Sequence, residues 1–422
     1  MDTYHILRFR MRLTLLILIA FFSFSCSKDS LNEPVAPVVD QIVFDPQNEG
    51  GLVNYEKVGT YNVSTIQSYV ILGKALGLQL DPTVVKYDIE LYKLEYKINY
   101  KGKLLTASGL LALPMLNASQ TIPAYSFQHG TILLKSEAPS LDLKNVLLPI
   151  ELFLPASMGM MAVLPDYVGF GSSSAEFHPY YVKEPSAMSV IDLLNAAKNF
   201  STQKKYSISD KVNLVGYSQG GYTTLATHQI LSSNPAISYF KNFTSYAGAG
   251  GYDLPNLQSI ILKRDTYEQP YYLGYILKAY QTYYGFSQPS WTDLLKSPYA
   301  QKMNTLVDGS KSGDEVNAAL TNNVKDLFVG EFISNSNSNT FSNLNQRLNE
   351  NSLLDVTTSK PLFLYHGKQD IWVFPETSKS TYDKLVAKGT KNIAYIELEG
   401  THSTAFVPFA NDVFSKLVES LK

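Results

Sequence analysis

The pattern Gly-x-Ser-x-Gly, centred on Ser218, is typical of an activated serine nucleophile. It lies between an apolar run at 212–215 and a segment of helical periodicity that begins at Tyr222. Such a strand–turn–helix junction is so tight that larger side chains two residues on either side would collide with neighbouring backbone, and Gly216 and Gly220 occupy those positions. The amino end of the following helix would favour developing negative charge. The pattern therefore predicts that Ser218 is a nucleophile.

A serine hydroxyl becomes a good nucleophile only when a base removes its proton. Among the six histidines, His402 follows the last predicted strand, in a loop that begins with Gly400. Rigid sheets often hold functional side chains on such loops. We therefore predict that His402 is the base. We expect His228 to face away from the serine and His366 to pack at a strand end.

The base needs a carboxylate that fixes its tautomer and stabilises the imidazolium. Asp370 follows the apolar run at 361–365 in the context His-Gly-x-x-Asp, which favours it as this acid. The alternative is Asp253, just after the preceding predicted strand. With Asp370, the chain order is Ser, Asp, His, as in α/β-hydrolases.

Acyl transfer also requires hydrogen-bond donors for the oxyanion that forms on the attacked carbonyl. The backbone N–H of Gln219, directly after the serine, is one predicted donor. The loop after an earlier predicted strand should supply the second, from the N–H of Gly130 or Thr131, with His129 shaping the loop. The alternative is that residues 129–130 form only a turn.

The segments that must position these residues alternate in character. The apolar runs are 122–127, 160–164, 212–215, 243–246, 362–365 and 393–398, and the helical segments between them include 187–200, 222–231 and 377–387. Strands that alternate with helices predict a mostly parallel central sheet with helices on both faces. Before it, a helix is expected at 65–78. The alternating runs 87–100 and 104–113, joined at Gly102, predict an antiparallel hairpin.

One long segment interrupts this alternation. Roughly a hundred residues separate the strand ending at 246 from the strand beginning at 362, far more than an ordinary connection contains. The segment is rich in tyrosine at helical spacing, and a run of Asn and Ser follows at 334–345. We interpret 252–355 as a largely helical cap inserted into one hydrolase domain that spans 56–422.

The amino end has the features of an export signal. Arginines between residues 8 and 12 precede an apolar run at 13–22, which is shorter than the roughly 20 residues of a membrane-spanning helix. The small residues before Cys26 resemble the lipobox of bacterial lipoproteins, and the following Ser-Lys-Asp-Ser resembles the signals of Bacteroidetes-type lipoproteins. This resemblance implies a signal peptide at 1–25, a lipidated Cys26, a tether at 26–55 and anchoring to the outer membrane. The alternative is a cleaved signal with an incidental cysteine.

The overall composition excludes several kinds of function. The chain has 35 basic and 37 acidic residues, and no long basic run follows the amino end, so nothing favours nucleic acid as a partner. Cys26 is the single cysteine, which excludes an internal disulfide, a Cys-ligated metal and, once the anchor uses it, a cysteine nucleophile.

Several motifs together resemble the secretory lipase and esterase branch of the α/β-hydrolase superfamily. They are Gln-His-Gly-Thr at 128–131, Pro-Asp-Tyr-Val-Gly-Phe-Gly at 165–171, His-Pro-Tyr at 178–180, the serine pattern, and the loops of Asp370 and His402. They occur in this order over 87–422. The resemblance implies an α/β-hydrolase fold and cleavage of carboxylic esters without cofactor or metal. It also implies that Asp166 is a structural loop residue.

The expected substrate is a small-molecule or glycan ester, cleaved through an acyl-enzyme. Two alternatives remain open. An exopeptidase could use the same three residues on an amide, and a non-catalytic surface lipoprotein could use the scaffold to bind a glycan or a partner. The sequence leaves the acyl chain length, the leaving group and the oligomeric state undetermined.

Overall fold

The structure is a computed structural model that describes residues 42–116 and 120–422. The predicted signal peptide, Cys26 and the first part of the predicted tether lie outside the described residues. Within them, nine strands form one sheet: β1 (Leu52–Tyr61), β2 (Ile89–Tyr100), β3 (Lys103–Pro114), β4 (Thr121–Gln128), β5 (Met161–Pro165), β6 (Ser207–Tyr217), β7 (Asn242–Gly248), β8 (Leu362–Gly367) and β9 (Ile393–Leu398).

The strand order is β1-β2-β3-β5-β4-β6-β7-β8-β9. Strands β4 to β9 run parallel to one another, whereas β1, β2 and β3 are antiparallel to their neighbours. Lys101 and Gly102 join β2 to β3, both with positive φ (55° and 78°), as the tight turns of hairpins require. The predicted mostly parallel sheet with an antiparallel hairpin before it is confirmed.

Helices lie in the longer connections between the strands, and one more helix follows β9. They are α1 (Val63–Ala75), α2 (Leu154–Ser157), α3 (Lys183–Gln203), α4 (Gln219–Ser233), α5 (Leu254–Leu262), α6 (Tyr272–Tyr284), α7 (Trp291–Leu294), α8 (Tyr299–Leu306), α9 (Gly313–Ala318), α10 (Val324–Leu327), α11 (Gly330–Ser334), α12 (Ser342–Asn351), α13 (Pro375–Ala387) and α14 (Phe406–Ser420). A five-residue π-helix, Pro149–Phe153, precedes α2. No helix in the described ranges is long and apolar enough to cross a membrane.

Two apolar layers cover the faces of the sheet. On one face, α1, α2 and α14 pack around the side chains of Tyr125 and Phe127 of β4. On the other face, α3 packs around Ile122 and Ala124 of the same strand. Successive side chains of a strand point to opposite faces, which explains why neighbouring residues of β4 belong to different layers.

The helices α5 to α12 lie within the segment predicted as the cap. Their buried side chains, including Leu277 and Phe332, belong to the same apolar cluster as Leu225 of α4 and Leu364 of β8. Tyr272, Tyr275 and Tyr280 of α6 are also buried in this cluster. The cap helices therefore share one continuous core with the sheet.

Two elements differ from the sequence-based expectation. The strand β1 begins at Leu52, so residues 52–55, expected as the end of the tether, are paired with β2. Leu52 is buried and contributes to the core beneath this edge. The helix α14 was not predicted, although its residues 409, 413 and 417 repeat at helical spacing and are buried.

Candidate active site

Ser218 occupies a sharp turn between β6 and α4. Its backbone has φ 61° and ψ −125°, a sparsely populated conformation that persists only where the surroundings impose it. Its N–H donates to the carbonyl of Gly248 (2.8 Å). A Cβ atom on Gly220 would lie 1.8 Å from the Gln128 carbonyl oxygen, and one on Gly216 would lie 2.3 Å from the Gly220 carbonyl oxygen. Glycine is therefore required at both positions that the sequence pattern singled out.

The loops after β8 and β9 bring Asp370 and His402 together. Asp370 Oδ2 lies 2.6 Å from His402 Nδ1, and Asp370 Oδ1 accepts hydrogen bonds from the N–H groups of Trp372 (2.9 Å) and Val373 (3.0 Å). Burial alone would raise the pKa of Asp370. The charge of His402 and hydrogen bonds from two histidines outweigh it and hold this pKa well below its usual range. The carboxylate is therefore ionised at neutral pH.

Tyr217, the neighbour of Ser218, links the His402 loop to the turn. Its hydroxyl donates to the His402 carbonyl oxygen (2.8 Å), and the two rings lie 5.4 Å apart. The Trp372 ring lies 5.1 Å from the His402 ring. In the described part of the chain, no hydrogen bond joins the Ser218 hydroxyl to His402. Such bonds are often long before substrate binds.

Asp253, the alternative acid, makes a different set of contacts. Its Oδ2 atom accepts hydrogen bonds from Lys384 Nζ (2.7 Å) and Ser380 Oγ (2.9 Å). Its Oδ1 atom caps the amino end of α5. The carboxylate that contacts His402 is thus that of Asp370.

His366 has a role that the sequence did not indicate. Its Nε2 atom lies 3.1 Å from Asp370 Oδ2 and 2.5 Å from the Val373 carbonyl oxygen. A carbonyl oxygen only accepts hydrogen bonds, so Nε2 carries a proton and also donates to Asp370. Its Nδ1 atom lies 2.6 Å from Ser378 Oγ. We predicted that His366 packs at a strand end; it is indeed fully buried, but it also contacts the acid four residues later.

Residues of both predicted oxyanion donors lie next to the serine. Gln219 is the first residue of α4 and is almost fully buried. A Cβ atom on Gly130 would lie 3.7 Å from Ser218 Cβ, so the loop after β4 passes directly beside the serine. Thr131 turns its hydroxyl to that of Tyr180 (2.9 Å).

Asp166 lies apart from this group. Its carboxylate accepts hydrogen bonds from Ser108 Oγ (2.5 Å) and from the Oγ and N–H of Ser140 (2.6 and 2.8 Å). This arrangement matches the structural loop role that the resemblance implies.

The three predicted catalytic residues are buried, and the cap segment contacts the loop of one of them. Ser218 is 8% exposed, His402 5% and Asp370 2%. Tyr267, just after α5, donates its hydroxyl to the carbonyl of Trp372 (2.9 Å), which connects the cap segment to the loop that carries Asp370.

Comparisons with known proteins identify the family and the fold of the chain. The sequence model of a family described as secretory lipase matches residues 140–410, more than half of the chain. A putative hydrolase from Legionella pneumophila is 28% identical, with a TM-score of 0.75 over 86% of this chain and 97% of that one. No curated protein matches in a sequence comparison.

Two further structures share the fold at lower identity. A ligand-bound form of the rice cell wall degrading esterase LipA from Xanthomonas oryzae is 23% identical, with a TM-score of 0.74 over 89% of this chain and 100% of that one. Lipase A from Candida antarctica, in its closed state, is 17% identical, with a TM-score of 0.61 over 87% and 83% of the two chains. At these identities the likeness shows the α/β-hydrolase fold.

Proposed function

The chain belongs to the secretory lipase family, and from this membership we propose that it is an exported serine hydrolase that cleaves carboxylic esters through an acyl-enzyme. The family and its esterase neighbours support an ester hydrolase. The observation that carries the finer proposal is the 2.6 Å contact between Asp370 and His402, in a loop that Tyr217 ties to the turn of Ser218.

In the proposed reaction His402 removes the proton of Ser218 as the serine oxygen attacks the ester carbonyl. The negative charge that develops on the carbonyl oxygen is held by the backbone N–H of Gln219 and that of Gly130 or Thr131. His402 then protonates the departing alcohol, and the acyl group remains on the serine. Water, activated by His402, releases the acid. Asp370 keeps the ring oriented and stabilises its charged form.

The proposed reaction implies an ester as substrate, and the descriptions of two proteins with the same fold indicate which esters to test. One neighbour of the same fold is described as a cell wall degrading esterase and another as a lipase. We therefore propose a small-molecule or glycan ester as substrate, with the acyl length left to measurement.

The decisive test compares the soluble form that begins at residue 27 with its Ser218→Ala variant on p-nitrophenyl esters from acetate to palmitate. We expect kcat to fall by about 10⁴-fold or more, because serine hydrolases lose most of their rate enhancement with the nucleophile. The control is Ser233→Ala on the same helix, whose hydroxyl bonds only to backbone carbonyls and whose loss should leave kcat unchanged.

The other outcomes separate the alternatives. Turnover of aminoacyl amides alone would favour the exopeptidase. No turnover, together with no labelling of Ser218 by a fluorophosphonate, would favour the binding scaffold. Ester turnover that survives in Ser218→Ala would refute the proposed nucleophile.

We also propose that Cys26 carries a lipid that anchors the protein to the outer membrane. The proposal rests on the lipobox-like sequence before this residue. In the native host, Cys26→Ser should move the protein from the membrane fraction to the soluble fraction and abolish labelling by an alkyne fatty acid. Cys26→Ser protein that stays in the membrane fraction would contradict the anchor.

A further inference from the structure

We propose that the loop at 165–171, together with His178, positions both donors of the oxyanion hole, with Tyr167 on the side of Gly130 and His178 on the side of Gln219. The inference rests on the proposed function, since it concerns the same site. It gives a role to the motifs at 165–171 and 178–180, which the proposed reaction does not use. It also selects Gly130 over Thr131 as the second donor.

The first contact is between the side chains of Gln219 and His178. Gln219 Nε2 lies 2.7 Å from His178 Nε2, and His178 Nδ1 lies 2.8 Å from the Val168 carbonyl oxygen. Because that carbonyl only accepts, Nδ1 carries the ring proton, and Nε2 accepts from the Gln219 amide. Burial lowers the pKa of His178 to about 3, which keeps the ring neutral and this tautomer in place. The side chain of Gln219, next to Ser218, therefore donates to a His178 ring whose tautomer is fixed.

The loop is built to place this histidine. Gly169 has a φ of 94°, and a Cβ atom there would lie 2.5 Å from the backbone N and Cα of His178. Only glycine permits so close an approach. The Phe170 ring packs 4.8 Å from the His178 ring. The loop and the histidine therefore form one packed unit.

The second contact orients the peptide that joins His129 to Gly130. The Tyr167 hydroxyl donates to the His129 carbonyl oxygen (3.1 Å), and the two rings stack 4.2 Å apart. A trans peptide is planar, with its C=O and N–H pointing in opposite directions. Holding the His129 carbonyl therefore fixes the direction of the Gly130 N–H, on a residue that lies beside Ser218.

The loop itself is anchored at its base. Asp166 binds Ser108 and Ser140 through three hydrogen bonds. A Cβ atom on Gly171 would lie 2.1 Å from Asp166 Oδ2. Tyr167 is held with a positive φ of 67°, a backbone conformation that a tyrosine adopts only when its surroundings require it. This strained backbone directs the Tyr167 side chain to the His129 carbonyl.

The test removes each contact without removing a backbone donor. Tyr167→Phe deletes one hydroxyl and keeps the ring stack. Gln219→Met deletes the side-chain amide and keeps the backbone N–H. It leaves His178 Nε2 without its donor, which lowers stability, so circular dichroism checks that each variant is folded under the assay conditions. The control is Tyr96→Phe, which deletes an equally buried hydroxyl that donates to the Ser189 carbonyl of α3 (2.8 Å) and not to His129 or Gln219.

Each variant is assayed for kcat, for KM and for affinity toward a trifluoromethyl ketone, whose adduct with the serine carries an oxyanion. We expect kcat and ketone affinity to fall together by about 10- to 100-fold in Tyr167→Phe and Gln219→Met, less than the roughly 10²- to 10³-fold loss of a whole donor. KM should stay unchanged, and Tyr96→Phe should match the wild type.

Three results would overturn the inference. The first is wild-type kcat and ketone affinity in Tyr167→Phe and Gln219→Met. The second is an equal loss in Tyr96→Phe, which would indicate a general effect on stability. The third is a rise in KM without loss of ketone affinity. A wild-type enzyme without ester turnover would overturn the proposed function itself, and the inference with it.

Discussion

At the scale of single residues, the Asp370 carboxylate is held by contacts on both of its oxygen atoms. Two histidines and two backbone N–H groups contact it. Four donors hold the carboxylate in one orientation, which an acid that orients a base requires. Asp253, in contrast, pairs with Lys384, whose side chain is half exposed.

We therefore expect Asp370→Asn and Asp253→Asn to differ sharply. Asp370→Asn should lower kcat by about 10³- to 10⁴-fold, because the asparagine no longer stabilises the correct tautomer and charge of His402. Asp253→Asn should change kcat by less than about 3-fold, since Asp253 contacts Lys384 and Ser380 and not His402. Steady-state ester hydrolysis checks both. A large loss of kcat in Asp253→Asn would contradict the proposed acid.

The sequence predicts roles for Ser218, Asp370 and His402 because each stands in a recognisable local context. It could not identify His366 as a donor to Asp370, since that contact depends on how the turn returns the Val373 carbonyl to the ring. The contact between His178 and Gln219 joins residues 41 positions apart. Neither contact can be recognised from a local sequence pattern, because both contacts depend on tertiary packing.

At the scale of elements, the π-helix at Pro149–Phe153 buries an acid. Glu151 lies against a small cavity lined by apolar side chains of β4, β6 and α14, and burial raises its pKa to about 8. An unfolded chain releases this proton near the ordinary value of 4.5. Between those values the unfolded state binds fewer protons, so stability falls as pH rises from 4.5 to 8.

Glu151→Gln should remove this pH dependence. Relative to the wild type, we expect its free energy of unfolding to gain on the order of 3 kcal/mol between pH 4.5 and pH 8. Urea melts at several pH values in this window measure the difference. The control is Glu56→Gln, at an exposed position of β1. Its free energy of unfolding should differ from that of the wild type by the same amount at every pH in this window. If the free energies of unfolding of Glu151→Gln and the wild type differ by the same amount at every pH, Glu151 is not protonated in the folded protein.

The elements were predictable to different degrees. The parallel strands β4 to β9 each contain a short apolar run that predicts their position, although β6 begins five residues before its run. The edge strand β1 alternates buried and exposed residues only weakly, because it has a partner on one side and solvent on the other. Its pairing with β2 decides its structure, and pairing is not visible in the sequence.

At the scale of the whole molecule, the cap helices and the sheet share one apolar core. Helices that bury their side chains against the sheet layer gain little stability by themselves. The cap segment and the sheet are therefore expected to unfold together.

The two tryptophans allow this to be measured, since Trp291 lies in α7 and Trp372 beside His402. In Trp291→Phe and in Trp372→Phe, the urea midpoint from the remaining tryptophan should coincide with the midpoint from circular dichroism. A lower midpoint for the Trp291 signal alone would show that the cap unfolds separately.

The strand order also bears on the sequence of assembly during synthesis. The strands β1, β2 and β3 are neighbours both in the chain and in the sheet, so they can pair at a small cost in loop-closure entropy as soon as they are made. The loops that carry Asp370 and His402 follow the cap, near the carboxyl end. A growing chain thus exposes Ser218 before Asp370 and His402 exist, so under the proposed function it remains inert until His402 has been made and the cap segment has folded.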